Sequence, residues 1–142
     1  MNGDGALFRL VYASRSLVPE DRVPVELPRI LEVARRRNAA RDITGALLFS
    51  ADGFVQALEG PMAAVERTFE RIQCDPRHAD VVVLEAGPVP GRDFDGWSMA
   101  YAGRCPDLRF EAFGAAPDAA SPAMLDLLRG ALRRMAGTAI PA

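Results

Sequence analysis

From Leu7 to Ser14 the chain alternates with a period of two. Phe8, Leu10, Tyr12 and Ser14 fall on one side of an extended segment, and Leu7, Arg9, Val11 and Ala13 on the other. This predicts a first strand. Past a proline-containing loop the period lengthens: Leu27, Ile30, Leu31, Ala34 and Asn38 follow a helical i, i+3, i+4, i+7, i+11 rhythm, which predicts an amphipathic helix from about Val25 to Asn38. Ile43 to Ser50 and Phe54 to Glu59 are apolar runs joined by Ala51-Asp52-Gly53, and the Asp-Gly pair predicts an antiparallel hairpin. Gly60-Pro61 ends the second run and opens another helix, with Met62, Val65, Phe69 and Ile72 on its buried side and its end near Asp75-Pro76. Val81-Val82-Val83-Leu84, within Asp80 to Ala86, is an unbroken apolar run of the kind covered on both faces, and it predicts the central strand. Beyond Gly87-Pro88-Val89-Pro90-Gly91, Phe94 to Tyr101 predicts the last strand, with Trp97 and Met99 pointing one way and Ser98 and Ala100 the other.

The order of elements, βαββαββ, belongs to the α+β class and predicts a ferredoxin-like sheet with two helices on one face. Residues 103 to 120 carry no regular pattern, and Ser121-Pro122 opens a C-terminal helix at about 121–136. Met124, Leu125, Leu127, Leu128, Ala131, Leu132 and Met135 give that helix an apolar surface broader than one stripe. Such a surface is expected to bury itself on the open sheet face or against another subunit. The division is therefore a domain over 1–102 and an extension over 103–142.

With 142 residues the chain closes one core, not two. A net charge of -2 supplies no global positive field, so nucleic acid and anionic membrane surfaces are not expected partners. No apolar run approaches the roughly 20 residues of a membrane span, and the polar start Met1-Asn2-Gly3-Asp4-Gly5 has no basic leader, which together predict a cytoplasmic protein. Cys74 and Cys105 lie far apart with no further ligand at metal spacing, so free thiols are expected and no metal site.

Candidate chemistry comes from polar residues where the pattern asks for apolar ones. Asn38 extends the apolar helix face by one turn; either it points inward, where an unpaired amide would cost about 1–3 kcal/mol, or it caps the helix end. Gln56 shares a strand face with Phe54 and Leu58; it is either an interior amide or an edge-strand side chain reaching water. Tyr12 lies on the face of Phe8 and Leu10, where core tyrosines are common, and Trp97 and Met99 are ordinary packing residues taken singly. Taken together, Tyr12, Asn38 and Gln56 offer a phenol and two amides that both donate and accept, a set able to read the edge of a heterocycle.

In content and order these segments resemble the BLUF domains, sensors of blue light using FAD, from Leu7 to about Tyr101. The matching segments are Leu10-Val11-Tyr12-Ala13-Ser14, Ile30-Leu31, Asn38, Ile43-Thr44-Gly45-Ala46-Leu47-Leu48, Phe54-Val55-Gln56-Ala57-Leu58-Glu59-Gly60-Pro61, Asp75-Pro76-Arg77-His78 and Trp97-Ser98-Met99. The resemblance implies FAD between the two helices beside the sheet, with Tyr12 near Gln56 and Gln56 near the reactive ring edge. It implies that light draws an electron and a proton from Tyr12, that their return leaves Gln56 rotated or tautomerised, and that the spectrum shifts slightly to the red until dark decay. Asn38 matches the asparagine that binds the ring edge, Ile30 an aliphatic residue beside it, and Arg71 a position often basic. Trp97 and Met99 match the pair thought to pass the signal outward.

Arg37 departs from the resemblance, since many members carry a second asparagine there, and this bears on flavin contacts and dark recovery. His78 reads as a structural residue. The run Arg35-Arg36-Arg37, with Arg41, reads as a solvated helix face, with flavin phosphates as the alternative partner of one arginine. A short stand-alone sensor is expected, associating as a dimer or larger with itself through the C-terminal helix or the open sheet face, or with a separate downstream protein. Two other functions stay open on the residues: a small flavin-dependent oxidoreductase, disfavoured because no GxGxxG element or reactive cysteine pair is present, and a ferredoxin-like interaction module without cofactor.

Overall fold

The computed structural model describes residues 6–50 and 52–105, together with Asp126. Seven elements follow in chain order: β1 (Leu7–Ser16), α1 (Val23–Ala40), β2 (Thr44–Ser50), β3 (Gly53–Gly60), α2 (Met62–Gln73), β4 (His78–Val89) and β5 (Ala100–Cys105), with one 3-10 turn at Glu20–Arg22. The strands form a single sheet in the order β4-β1-β3-β2-β5. β1 pairs antiparallel with both β3 and β4, β2 antiparallel with β3, and β5 runs parallel to β2. This is the expected ferredoxin-like arrangement with both helices over one face.

Register decides which side chains meet. Tyr12 sits opposite Gln56, and Gln56 opposite Leu47, so the three share the helix-covered face across β1, β3 and β2. Leu10, Leu31, Leu58, Phe49, Phe54, Val65 and Met99 complete the core between sheet and helices. The opposite face is not open at its centre: Val11, Ala13, Val55 and Ala57 have 0% exposure and Leu48 3%. It therefore offers no bare docking surface at those positions.

Three expectations about the elements are corrected. β4 is an edge strand, not the central one, and it is longer than Asp80 to Ala86. Only Leu84 of the run Val81 to Leu84 is buried, and Val83 is 43% exposed. An apolar β-branched run fits any extended strand, edge or centre, and here β3 holds the centre because β1 and β2 both pair with it. The last strand runs from Ala100 to Cys105 rather than from Phe94 to Tyr101, so residues 103–105 pair in the sheet and are not the irregular start of an extension. Asp95-Gly96 turns the chain, with Gly96 at φ 88° and the Trp97 amide donating to the Phe94 carbonyl at 3.0 Å, so Trp97 and Met99 do not alternate along a strand. Met62, placed on the buried side of α2, is 54% exposed because it lies in the first turn, ahead of the sheet; Val65 and Thr68 form the buried stripe instead.

α1 begins two residues earlier and ends two later than expected, with Arg41 as its C-cap and Asp42 at φ 59° completing the turn into β2. Of the C-terminal helix expected at about 121–136 only Asp126, helical and exposed, is described; the remainder lies outside the described residues. Cys74 is free and exposed. Among the described residues no helix is long and apolar enough to cross a membrane, and no group of acidic, histidine or cysteine side chains is placed to hold a metal ion.

Candidate functional site

Between α1 and α2, over the faces of β1, β3 and β2, lies a cavity of about 790 Å³ including its open mouth. A concavity in which a few polar groups stand among apolar ones is the form a small-molecule site takes. Tyr12, Leu47, Phe54 and Gln56 form its floor; Ile30, Val33, Ala34, Arg37, Asn38 and Arg41 line the α1 side; Thr68, Arg71 and Ile72 line the α2 side. Asp75, Arg77 and His78 close the remaining wall. The walls near the floor are largely apolar and the mouth is rich in arginine, the layout for a planar aromatic body with an anionic tail.

Gln56 is 6% exposed on the central strand, so the edge-strand reading is ruled out. Its Oε1 accepts from the Tyr12 hydroxyl at 2.5 Å, and its Nε2 donates towards the Met99 sulfur at 3.6 Å. One strand residue thus links a buried phenol to the segment entering β5. Asn38 is 2% exposed and lies inside the last turns of α1, not at its cap. Its Nδ2 donates to the Ser98 carbonyl at 2.8 Å, which leaves its Oδ1 available to the cavity. Beside it, the Arg35 Nε donates to the Met99 carbonyl at 2.9 Å, so one member of the arginine run is a tether and not a solvated side chain.

The Tyr12 ring packs against Phe69, centroids 5.4 Å apart, and its hydroxyl is held neutral: burial, and then the nearby Asp75 carboxylate, push its pKa far above the ordinary phenol value. A phenol kept protonated in the fold while the unfolded chain ionises near pH 10 contributes stability that is fully present below that pH and lost progressively as pH rises from there towards the raised pKa of the folded state. Urea unfolding at pH 8 and at pH 10.5 should therefore show a loss of stability in the native protein that is smaller in Tyr12→Phe; equal losses would contradict the burial of this hydroxyl.

Asp75 is held below the usual carboxylate range, chiefly by its hydrogen bonds from Arg77 at 2.7–3.2 Å. His78 is fixed from both sides: the Ile72 carbonyl, 2.6 Å from Nε2, can only accept, so in the neutral ring Nδ1 accepts from the Ser14 hydroxyl at 2.8 Å. These two contacts tie the end of α2 to β1, and the ring also lines the cavity. Thr68 is a polar lining residue that pattern reading passed over. It sits one turn before Ile72 on the same face of α2, the same signal that singled out Asn38.

Of the residues put forward from sequence, the structure brings Tyr12, Ile30, Asn38, Gln56 and Arg71 to the cavity wall. Met99 is fully buried and touches Gln56 from behind. Trp97 is half-buried outside the cavity lining, tied to β2 by its carbonyl, which accepts from the Gly45 amide at 3.0 Å.

The donor set therefore fits a flavin, and comparison with known proteins agrees. The model of the family described as "BLUF: Sensors of blue-light using FAD" matches residues 7–100. The chain belongs to the BLUF family. The subunit beta of a photoactivated adenylate cyclase from Euglena longa is 40% identical over 101 residues, which cover 70% of this chain and 12% of that protein. The chain thus matches a small share of that relative, and the cyclase activity in its name is that protein's. The dark-state structure of BlrB, a BLUF protein, superposes with a TM-score of 0.72 at 30% identity, over 91% of this chain and 96% of its own. The ground-state structure of BlsA superposes with a TM-score of 0.72 at 30% identity, over 87% of each chain. Residues 7–100 are thus a blue-light photoreceptor domain of the family that uses FAD.

Proposed function

We propose that Tyr12, Gln56 and Met99 form the switch of this BLUF domain, and that its output is a light-dependent change of protein association. The carrying observation is the chain of contacts from the Tyr12 hydroxyl to Gln56 Oε1 and from Gln56 Nε2 to the Met99 sulfur. Bound FAD supplies the absorption of blue light and a transient acceptor for an electron. Tyr12 is the donor on the cavity floor, and its proton has a single short path, to Gln56. An amide whose two ends are fixed by different partners has two arrangements of similar shape, because rotation exchanges its donor and its acceptor. Rotation of Gln56 turns its acceptor towards Met99 and its donor towards Tyr12, which replaces one contact and breaks the other. A change of about 1–3 kcal/mol in such contacts biases a two-state element.

Asn38 and Ile30 would hold the ring from α1, and Arg71, Arg37 and Arg41 surround the mouth through which the phosphate-bearing tail would leave. Met99 carries the displacement to β5, whose backbone follows without interruption. In this reading the residues that follow β5 take the signal to a second copy of the chain or a separate effector protein in the cytoplasm.

Trp97 is the one tryptophan of the chain, so its emission reports this segment directly. Blue light on the FAD-loaded protein should change Trp97 emission reversibly. Met99→Leu, which keeps the volume and removes the sulfur, should retain the flavin red shift and lose at least about half of the emission change. An undiminished emission change in Met99→Leu would remove Met99 from the route.

A further inference from the structure

Thr68 occupies the middle of α2, is 9% exposed, and lines the cavity between Val65 and Ile72. Its Oγ1 is buried and has no hydrogen-bond partner. In a helix a threonine hydroxyl has a ready acceptor in the carbonyl one turn back, and this one does not use it. Valine has the same shape and would fill the same space without a buried unpaired hydroxyl, so the protein alone gives no reason for the oxygen. Ser50 Oγ, also buried and unpaired, does not line the cavity. Thr68 Oγ1 is therefore a buried polar atom without a partner at a ligand site. Arg71 and Asp75 continue its stripe towards the mouth, while Tyr12 and Gln56 lie on the floor that it overlooks.

We propose that Thr68 is a cofactor-binding residue whose hydroxyl hydrogen-bonds a heteroatom of the FAD ring system. This rests on the reading of the cavity as the FAD site. The consequence is directional. A hydroxyl meets nitrogen or carbonyl oxygen, not methylated benzene carbons, so the polar side of the ring system lies deep in the cavity at the level of Thr68. A second wall then grips the edge that Asn38 reaches from α1. Thr68 belongs to a helix that carries none of the switch residues, and it fixes the ring relative to Gln56 from that independent side.

Two measurements on Thr68→Val have opposite expected signs, which separates ligand contact from plain packing. Stripped of flavin, the variant should resist urea at least as well as the native chain, because an unpaired buried hydroxyl has gone. Titrated with FAD, it should bind about tenfold to a hundredfold more weakly, and a carbonyl stretching band of the bound flavin should move to higher frequency. Thr68→Ser should restore affinity to within about threefold of native. If native protein binds FAD and Thr68→Val binds it equally well or better with an unchanged vibrational spectrum, the assignment is overturned while the cavity reading stands. Equal or better binding is also what a hydroxyl serving only a displaceable water would give. Failure of the native protein to bind FAD overturns both.

Discussion

Replacing Glu59 with alanine is expected to cost about 3–5 kcal/mol of folding stability, measured by urea unfolding in the dark. Glu59 is a fully buried carboxylate on the sheet face opposite the cavity, three residues along β3 from Gln56. Its Oε1 accepts from the Phe94 amide at 3.1 Å and the Thr44 hydroxyl at 3.2 Å; its Oε2 accepts from the Asp93 amide at 2.9 Å and from Arg9 at 3.4 Å. Arg9, 7% exposed, also meets Glu85 at 3.1 Å and Asp93 at 2.6 Å. Burial alone would lower the pKa of Arg9, and the three carboxylates more than offset it, so the guanidinium stays charged. Truncation at Glu59 leaves two backbone amides without an acceptor and removes one partner from a buried cation. Glu59→Gln should fall between alanine and native, since its one carbonyl oxygen can serve only one of the two amide positions well. A loss below about 1 kcal/mol for alanine would contradict the account of this network.

Tyr12→Phe and Gln56→Met should each leave the protein yellow and folded while cutting the yield of the light-induced red-shifted state to below about a tenth of native. Phenylalanine keeps the ring packed against Phe69 and removes the hydroxyl whose proton and electron start the change. Methionine keeps the approximate length of Gln56 and removes the amide, and with it both hydrogen bonds and any distinction between two orientations. The two variants should fail at different points. Tyr12→Phe lacks the donor, whereas Gln56→Met retains it but has nothing to rearrange. A normal red shift in Gln56→Met would refute the amide as the moving part, whatever the behaviour of Tyr12→Phe.

Alternation from Phe8 to Ser14, together with Phe54, Gln56 and Leu58, made the register legible, because one buried face strongly specifies strand pairing. Asn38 and Gln56 stood out by the same logic, as amides among apolar neighbours, and both have buried partners. Applied to α2, that logic would also have found Thr68, between Val65 and Ile72. The place of β4 was not legible: Val81 to Leu84 fits an edge as well as a centre, and strand order depends on pairings that local pattern does not encode. The start of β5 was misread although Asp95-Gly96 carries the same turn signal as Asp52-Gly53. The Arg9 and Glu59 pair could not be foreseen, because its partners lie 50 residues apart and each looks like an ordinary polar position at a strand end.

If light rearranges hydrogen bonds around an unreduced flavin, the absorption spectrum carries the mark of it. The most direct test is the visible spectrum of the FAD-loaded protein in the dark, after a blue pulse, and after return to darkness, recorded without added reductant. The expected result is a small red shift of an oxidised-flavin spectrum that decays fully in the dark and recurs with each pulse. Bleaching of the flavin band, or an identical spectrum before and after the pulse, would contradict it.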